Sequence, residues 1–244
     1  MKHAYLVAVT AIFFTSCAER YYSGGGNHIP AFTKAKQVNV GGGFHLTDKA
    51  TGFQIQSALA ATNRLAFMAN AHTNTVSYTH SSNNVESIDK STAFYGEGAT
   101  GFFIPSENQK HVFETYAGYG FGSIRNSYEE NFALINYNRI FLQPSFSFFS
   151  ADGFSAFSFA MRFSHVNIRI KDSSAPAGNV NDYYQLDLVR QNAKNLIVEP
   201  TFQYKFGKKH QGTIQLTITR PLKVLPYSYD AFNFGIGYIA RLQY

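Results

Sequence analysis

The chain has 244 residues, of which 15% are charged and 16% aromatic, all of these Phe or Tyr, with a formal net charge of +6. The charged fraction lies well under the roughly 25% of a soluble domain, yet beyond the N-terminus no apolar run approaches the about 20 residues that a membrane helix needs. The basic residues are spread without interleaved aromatics, so no nucleic-acid partner is expected.

The N-terminus opens with Lys2 and His3, then an apolar run over 4–14, too short to span a bilayer and suited to a signal-peptide core. Phe14-Thr15-Ser16-Cys17 looks like a lipobox, with Phe14 where Leu is usual, and it makes Cys17 the expected site of lipidation. Cys17 is the single cysteine, so an internal disulfide is impossible. Ser16-Cys17-Ala18 is also a small-x-small pattern that ordinary signal peptidase could cut after Ala18. Residues 1–17 therefore read as a signal peptide. Residues 18–36 read as a flexible N-terminal tether around Ser23-Gly24-Gly25-Gly26, and 37–244 as the folded domain.

From Val38 onward the pattern has period two, which sends alternate side chains to opposite faces of a strand. Val38, Val40, Phe44 and Leu46 oppose Asn39, Gly41, Gly43 and His45; Phe53, Ile55 and Leu59 oppose Gln54, Gln56 and Ala58. Leu65, Phe67 and Ala69 follow after a tight turn at Thr62-Asn63, and the polar stretch 79–90 reads as a loop. The strand over 91–103 is the weakest, with Glu97 among Gly96, Gly98 and Gly101. Phe113, Ala117, Tyr119 and Phe121 then oppose Glu114, Gly118, Gly120 and Gly122, and 126–131 reads as a loop. Ile140, Leu142, Phe146 and Phe148 share a face in a strand that Pro144 is expected to bulge. Phe157 to Phe163 take odd positions and Val166, Ile168 and Ile170 even ones, a parity change at Ser164-His165 that implies a bulge or an exit from the apolar band. A loop covers 171–182, and 183–195 has no clear assignment. Strands at 196–206 and 213–219 and a loop at 220–230 lead to the last strand, 232–244.

Connections at 62–63, 104–109, 151–153 and 207–211 are short, and those at 79–90, 171–182 and 220–230 are long, an alternation that fits an outer-membrane barrel with its short side periplasmic. The expected fold is all-β: a closed antiparallel up-and-down transmembrane barrel of about ten strands, eight or twelve being the counting alternatives. An even strand number places both termini on the periplasmic side, where a lipid on Cys17 could enter the inner leaflet. The soluble alternative, a lipid-tethered periplasmic barrel, would expose Phe232, Phe234, Ile236 and Tyr238 to water.

Three stretches carry a resemblance. Tyr21-Tyr22, Asn27-His28-Ile29-Pro30-Ala31-Phe32 with Lys34, and Gly52-Phe53-Gln54-Ile55-Gln56 with Ala58 resemble the opening of small outer-membrane barrel lipoproteins of the Bacteroidota, over roughly the first 75 residues. The resemblance implies a barrel without an established activity. The final strand, with Tyr238, Leu242 and Tyr244, resembles the C-terminal signal that the barrel assembly machinery reads, and in such proteins it closes against the first strand. By resemblance to enterobacterial sorting rules, Ala18 after Cys17 permits outer-membrane delivery.

If the apolar face meets lipid, the lumen receives Arg64, Glu97, Glu114, Arg162, Glu199, Lys205 and Arg241. Eight strands make an interior that side chains just fill and pores need about sixteen, so ten should enclose a plugged polar core with paired charges. The expected function is a non-enzymatic, structural or surface-interaction role as a monomer among outer-membrane lipids, with a narrow channel as the alternative. A second alternative is a lipid A-modifying hydrolase. His165 invites it by resemblance to the His-x-Ser-Asn motif of lipid A deacylases, but Asn167 stands where that motif has Ser. No HxH or HxxxH pair and no helix after the glycine clusters point to a metal or a phosphate cofactor.

Overall fold

The computed structural model of the protein describes residues 20–82, 85–128, 131–174 and 180–243. The strands are β1 (Gln37–Thr47), β2 (Thr51–Ala60), β3 (Leu65–Ser82), β4 (Val85–Pro105), β5 (His111–Tyr128), β6 (Asn131–Phe149), β7 (Ser155–Ser173), β8 (Lys194–Phe206), β9 (His210–Ile218), the two-residue β10 (Arg220–Pro221) and β11 (Phe232–Gln243). One helix, α1 (Val180–Gln191), stands between β7 and β8. Leaving out β10, each long strand pairs antiparallel with its neighbours in chain order, and β11 returns to β1 from Gln37↔Gln243 to Thr47↔Asn233. The result is a closed ten-stranded up-and-down barrel. Closure removes the free sheet edges that a membrane cannot tolerate.

Polarity is inverted relative to a soluble barrel. Phe44, Ile55, Phe102, Phe121, Ile140 and Phe163 point outward and are exposed, whereas Asn39, His72, Glu114, Gln143, Arg162 and Gln203 are buried inside. The alternation read from the sequence thus has its apolar set outside.

Several local expectations are overturned. The 79–90 stretch is not a loop: β3 and β4 stay paired up to Ser82↔Val85. Likewise the 126–131 stretch closes on Tyr128↔Asn131. The Ser-, Asn- and Glu-rich sequence of these hairpin ends hides the strand pattern while the backbone ladder continues. No bulge occurs at Pro144, where Leu142↔Phe163 and Ser145↔Ala160 keep one register; the shift lies instead between Leu134 and Ile135. At Ser164-His165 there is no bulge; of the two alternatives the strand's exit from the apolar band holds, the outward positions passing from Phe163 to His165, Asn167 and Arg169. Even positions of β7 face inward from Ala156 to Ile168, because Val166 and Ile168 join an internal apolar cluster with Leu186 and Val189 of α1. The unassigned 183–195 stretch is mostly that helix.

The barrel wall is uneven. β2 begins at Thr51, opposite Thr75 of β3, and β3 then runs on to Ser82. At about 3.3 Å per residue, that side runs on by roughly 23 Å along the strand direction. One mouth carries the short turns 61–64, 106–110, 150–154 and 207–209 together with the start of β1 and the end of β11. The other carries the taller hairpins, α1 and the 219–231 segment. These are called the short-turn mouth and the loop mouth.

Candidate functional site: a filled and charge-paired lumen

Residues 20–32 do not form the flexible tether that Gly24 to Gly26 implied. Arg20, Tyr21, Tyr22, Ser23, Asn27, His28, Ile29, Ala31 and Phe32 are all buried at 0–1% exposure, inside the barrel. The glycines serve close approach here: a Cβ on Gly24, Gly25 or Gly26 would run into Glu199, the His72 ring or Gln54 respectively. Gly25 also adopts φ 67°, in the left-handed region that favours glycine.

The wall holds this segment along its whole length. At the loop mouth Arg20 donates to Asn74 Oδ1 at 2.6 Å and to the Ser91 carbonyl at 3.0 Å, and pairs with Asp230 at 3.4 Å. Tyr21 N donates to the Ser228 carbonyl at 2.9 Å. Midway, Asn27 donates to Thr201 Oγ1 at 2.8 Å and Gln143 to the His28 carbonyl at 2.7 Å. Toward the short-turn mouth, Lys205 Nζ donates to the Ile29 carbonyl at 2.6 Å, and both Glu114 oxygens accept, from Ala31 N at 2.9 Å and Phe32 N at 3.0 Å. Phe32 packs against Phe103 in an apolar ring that includes Met68, Val112, Tyr116 and Phe141.

A four-membered ion cluster crosses the lumen beside this segment. Arg162 meets both oxygens of Glu97, at 2.8 and 3.0 Å. Arg139 bridges Glu97 at 2.9 Å and Glu199 at 3.1 Å, and also donates to the hydroxyls of Tyr22 at 2.9 Å and Tyr95 at 2.5 Å. Two guanidinium groups face two carboxylates, so the cluster is neutral and nearly every polar atom is engaged, the condition under which buried charge is tolerable. The rings of Tyr95 and Phe141 lie under Arg139 and Arg162 at 4.5 and 4.1 Å, within cation–π range. Glycines of β5 make room for those rings: a Cβ on Gly120 would collide with Tyr95, and one on Gly118 with Phe141.

Six of the seven charged residues expected in the lumen contact this interior. Glu97, Arg162 and Glu199 form the cluster; Glu114, Lys205 and Arg241 hold the threaded segment, Arg241 through the Pro30 and Ala31 carbonyls. Arg64 does not: it sits in the exposed 61–64 turn, one residue before β3 begins. Arg139 and Arg20 were missed. Arg139 shares the inward parity of Gln143 on β6 and was legible from alternation; Arg20 carried no signal, because nothing in its neighbourhood shows that the segment enters the barrel. Tyr238 and Leu242 face outward on β11. Cys17 and Tyr244 lie outside the described residues.

No cluster of three metal-ligating side chains occurs among the described residues. Ser164 is buried and His165 faces outward, so the two do not meet. At the rim of the loop mouth, Asp48 accepts from Ala231 N, and burial together with the nearby Asp230 charge raises its carboxyl above the usual range.

No protein-family model matches the sequence, and no curated protein does. Among solved structures, the chain is similar to an outer membrane channel from Pseudomonas putida, at 12% identity and TM-score 0.39 over 88% of this chain and 100% of that one. It is also similar to OmpT, an outer membrane protein of Vibrio cholerae in its trimer form, at 11% identity and TM-score 0.32 over 80% of this chain and 56% of that one. At such identities and scores these likenesses say nothing about what this chain does.

Proposed function

We propose that the protein is a non-enzymatic outer-membrane β-barrel with a structural or surface-interaction role, its lumen closed by its own N-terminal segment. The inverted polarity supports this reading most directly. A continuous outer face carrying Phe44, Phe102, Phe121 and Phe163 matches acyl chains and would aggregate in water, whereas inside Arg139 and Arg162 are paired with Glu97 and Glu199. The threaded residues occupy the path that a solute would take. Cys17 is the proposed point of lipid attachment, and the barrel assembly machinery and outer-membrane lipids are the proposed partners of a monomer.

The test is carbonate extraction of membranes, SDS-gel migration with and without boiling, and conductance in planar bilayers. A protein that resists extraction, shifts on boiling and passes no steady current fits the proposal. Release by carbonate would refute the membrane reading. Steady conductance of the intact chain would favour the narrow channel, a second reading that draws on the plug being a separate segment rather than part of the wall.

A further inference from the structure

The direction in which the chain threads the lumen carries a consequence for topology. Arg20, Tyr21 and Tyr22 are fixed at the loop mouth: Arg20 by Asp230, Tyr21 by the Ser228 carbonyl and Tyr22 by its bridge to Tyr229. Ala31 and Phe32 are fixed near the opposite mouth by Glu114, and Lys36 N bonds the Ala60 carbonyl at the end of β2. The chain therefore crosses the barrel once, from loop mouth to short-turn mouth, before β1 carries it back inside the wall. Thirteen residues reach at most about 40 Å when fully extended, which leaves room for the left-handed turns at Gly25 and Ala31 while still crossing an apolar band of about 25 Å. An even strand number places the start of β1 beside the end of β11, but the chain ahead of β1 does not stay on that side.

We infer that the threaded segment has its N-terminal end, Arg20, at the outer mouth, so that the N-terminal side of the chain is displayed on the cell surface rather than in the periplasm. The assignment of the loop mouth to the outside rests on the function proposed above; the threading itself does not. Ala18 and Glu19 alone separate Cys17 from Arg20, a reach of about 11 Å at most. A lipid on Cys17 could then enter only the leaflet at the loop mouth while Arg20 keeps its partners. Insertion into the inner leaflet, expected from strand parity alone, would require the segment to be drawn out of the lumen.

Three forms of the full chain test this, each with a short epitope: after Ala18, at the β3–β4 tip between residues 83 and 84, or in the 151–153 turn. Antibody binding is compared between intact and permeabilised cells. The expected result is that the epitopes after Ala18 and at the tip bind on intact cells, and the one at 151–153 only after permeabilisation. An N-terminal epitope that follows the 151–153 pattern overturns the inference. If the 151–153 epitope alone is exposed on intact cells, the orientation within the proposed function fails, whereas an N-terminal epitope that still tracks the tip upholds the threading. A second variant guards against an epitope that dislodges the segment. Tyr22→Cys with Tyr229→Cys, in a Cys17→Ser background, should form a disulfide that changes gel mobility under oxidation, since these residues bridge directly. A chain that reaches the membrane without that crosslink overturns the inference.

Discussion

Glu97→Ala is the most informative single change to the lumen. Glu97 accepts both contacts of Arg162, one from Arg139, and one each from Asn70 at 2.6 Å and Tyr95 at 2.7 Å. Arg139 keeps Glu199 and Tyr22 when the carboxylate goes, but Arg162 is left with Gln143 at 2.8 Å and no direct ion pair among the described residues, its register neighbour Glu199 being held by Arg139. Removing one partner of a buried pair costs about 3–5 kcal/mol, chiefly through the charge left behind. At about 1.4 kcal/mol per tenfold, the folded-to-unfolded ratio should fall by two to three and a half orders of magnitude. Urea titration of the barrel in detergent micelles, read by the heat-dependent gel shift, measures this. Adding Arg162→Ala to Glu97→Ala should restore part of the loss, because the stranded charge leaves with its partner. A cost under about 1 kcal/mol, no larger than that of Arg64→Ala at the exposed turn, would refute the reasoning by showing that water solvates the cluster.

Gly120→Val should destabilise by about 1–3 kcal/mol in the same titration, through displacement of Tyr95 from beneath Arg139. Deleting residues 20–32 should give a barrel that conducts in planar bilayers where the intact chain does not; a deleted form that still folds yet passes no current would show that the wall alone seals the lumen. Phe121→Lys on the outer face should cost about 2–4 kcal/mol if that position lies near the bilayer midplane, measured by refolding into vesicles. An effect no greater than that of Ala151→Lys, in the exposed turn, would argue against lipid contact there.

Much of the barrel was legible because a two-residue period survives wherever one face meets an apolar medium and the other a polar one. That contrast holds for β1, β5 and β11 and gave their facing directly. It fails in two places, for different reasons. In the upper parts of β3 and β4 the sequence is Ser-, Thr- and Asn-rich, so paired strand reads as loop. On β7, Val166 and Ile168 are apolar yet internal, because Leu186 of α1 and Tyr22 of the threaded segment supply an apolar patch inside the barrel. Alternation reports the polarity of the surroundings, and an internal apolar patch mimics a change of face. The charge cluster was half legible: parity locates Glu97, Arg162 and Glu199, but their pairing through Arg139 depends on register across five strands, β4 to β8. The entry of residues 20–32 left no periodic trace, since a segment surrounded by wall on all sides has no face to alternate. Gly24 to Gly26 then suggested looseness where the lumen requires thinness.

The uneven wall gives the molecule a front and a back. On the side of β1, β2, β9 and β11 the sheet stops early, and the 219–231 segment arches over the rim with Tyr227 and Asp230 tucked beneath it. On the side of β3 to β6 the paired hairpins rise like a backrest behind the mouth. A neighbour drifting laterally in the membrane would meet a low sill from one direction and an upright screen from the other. Contacts made through the mouth would therefore be open from the side of β1, β2, β9 and β11 and screened from the side of β3 to β6.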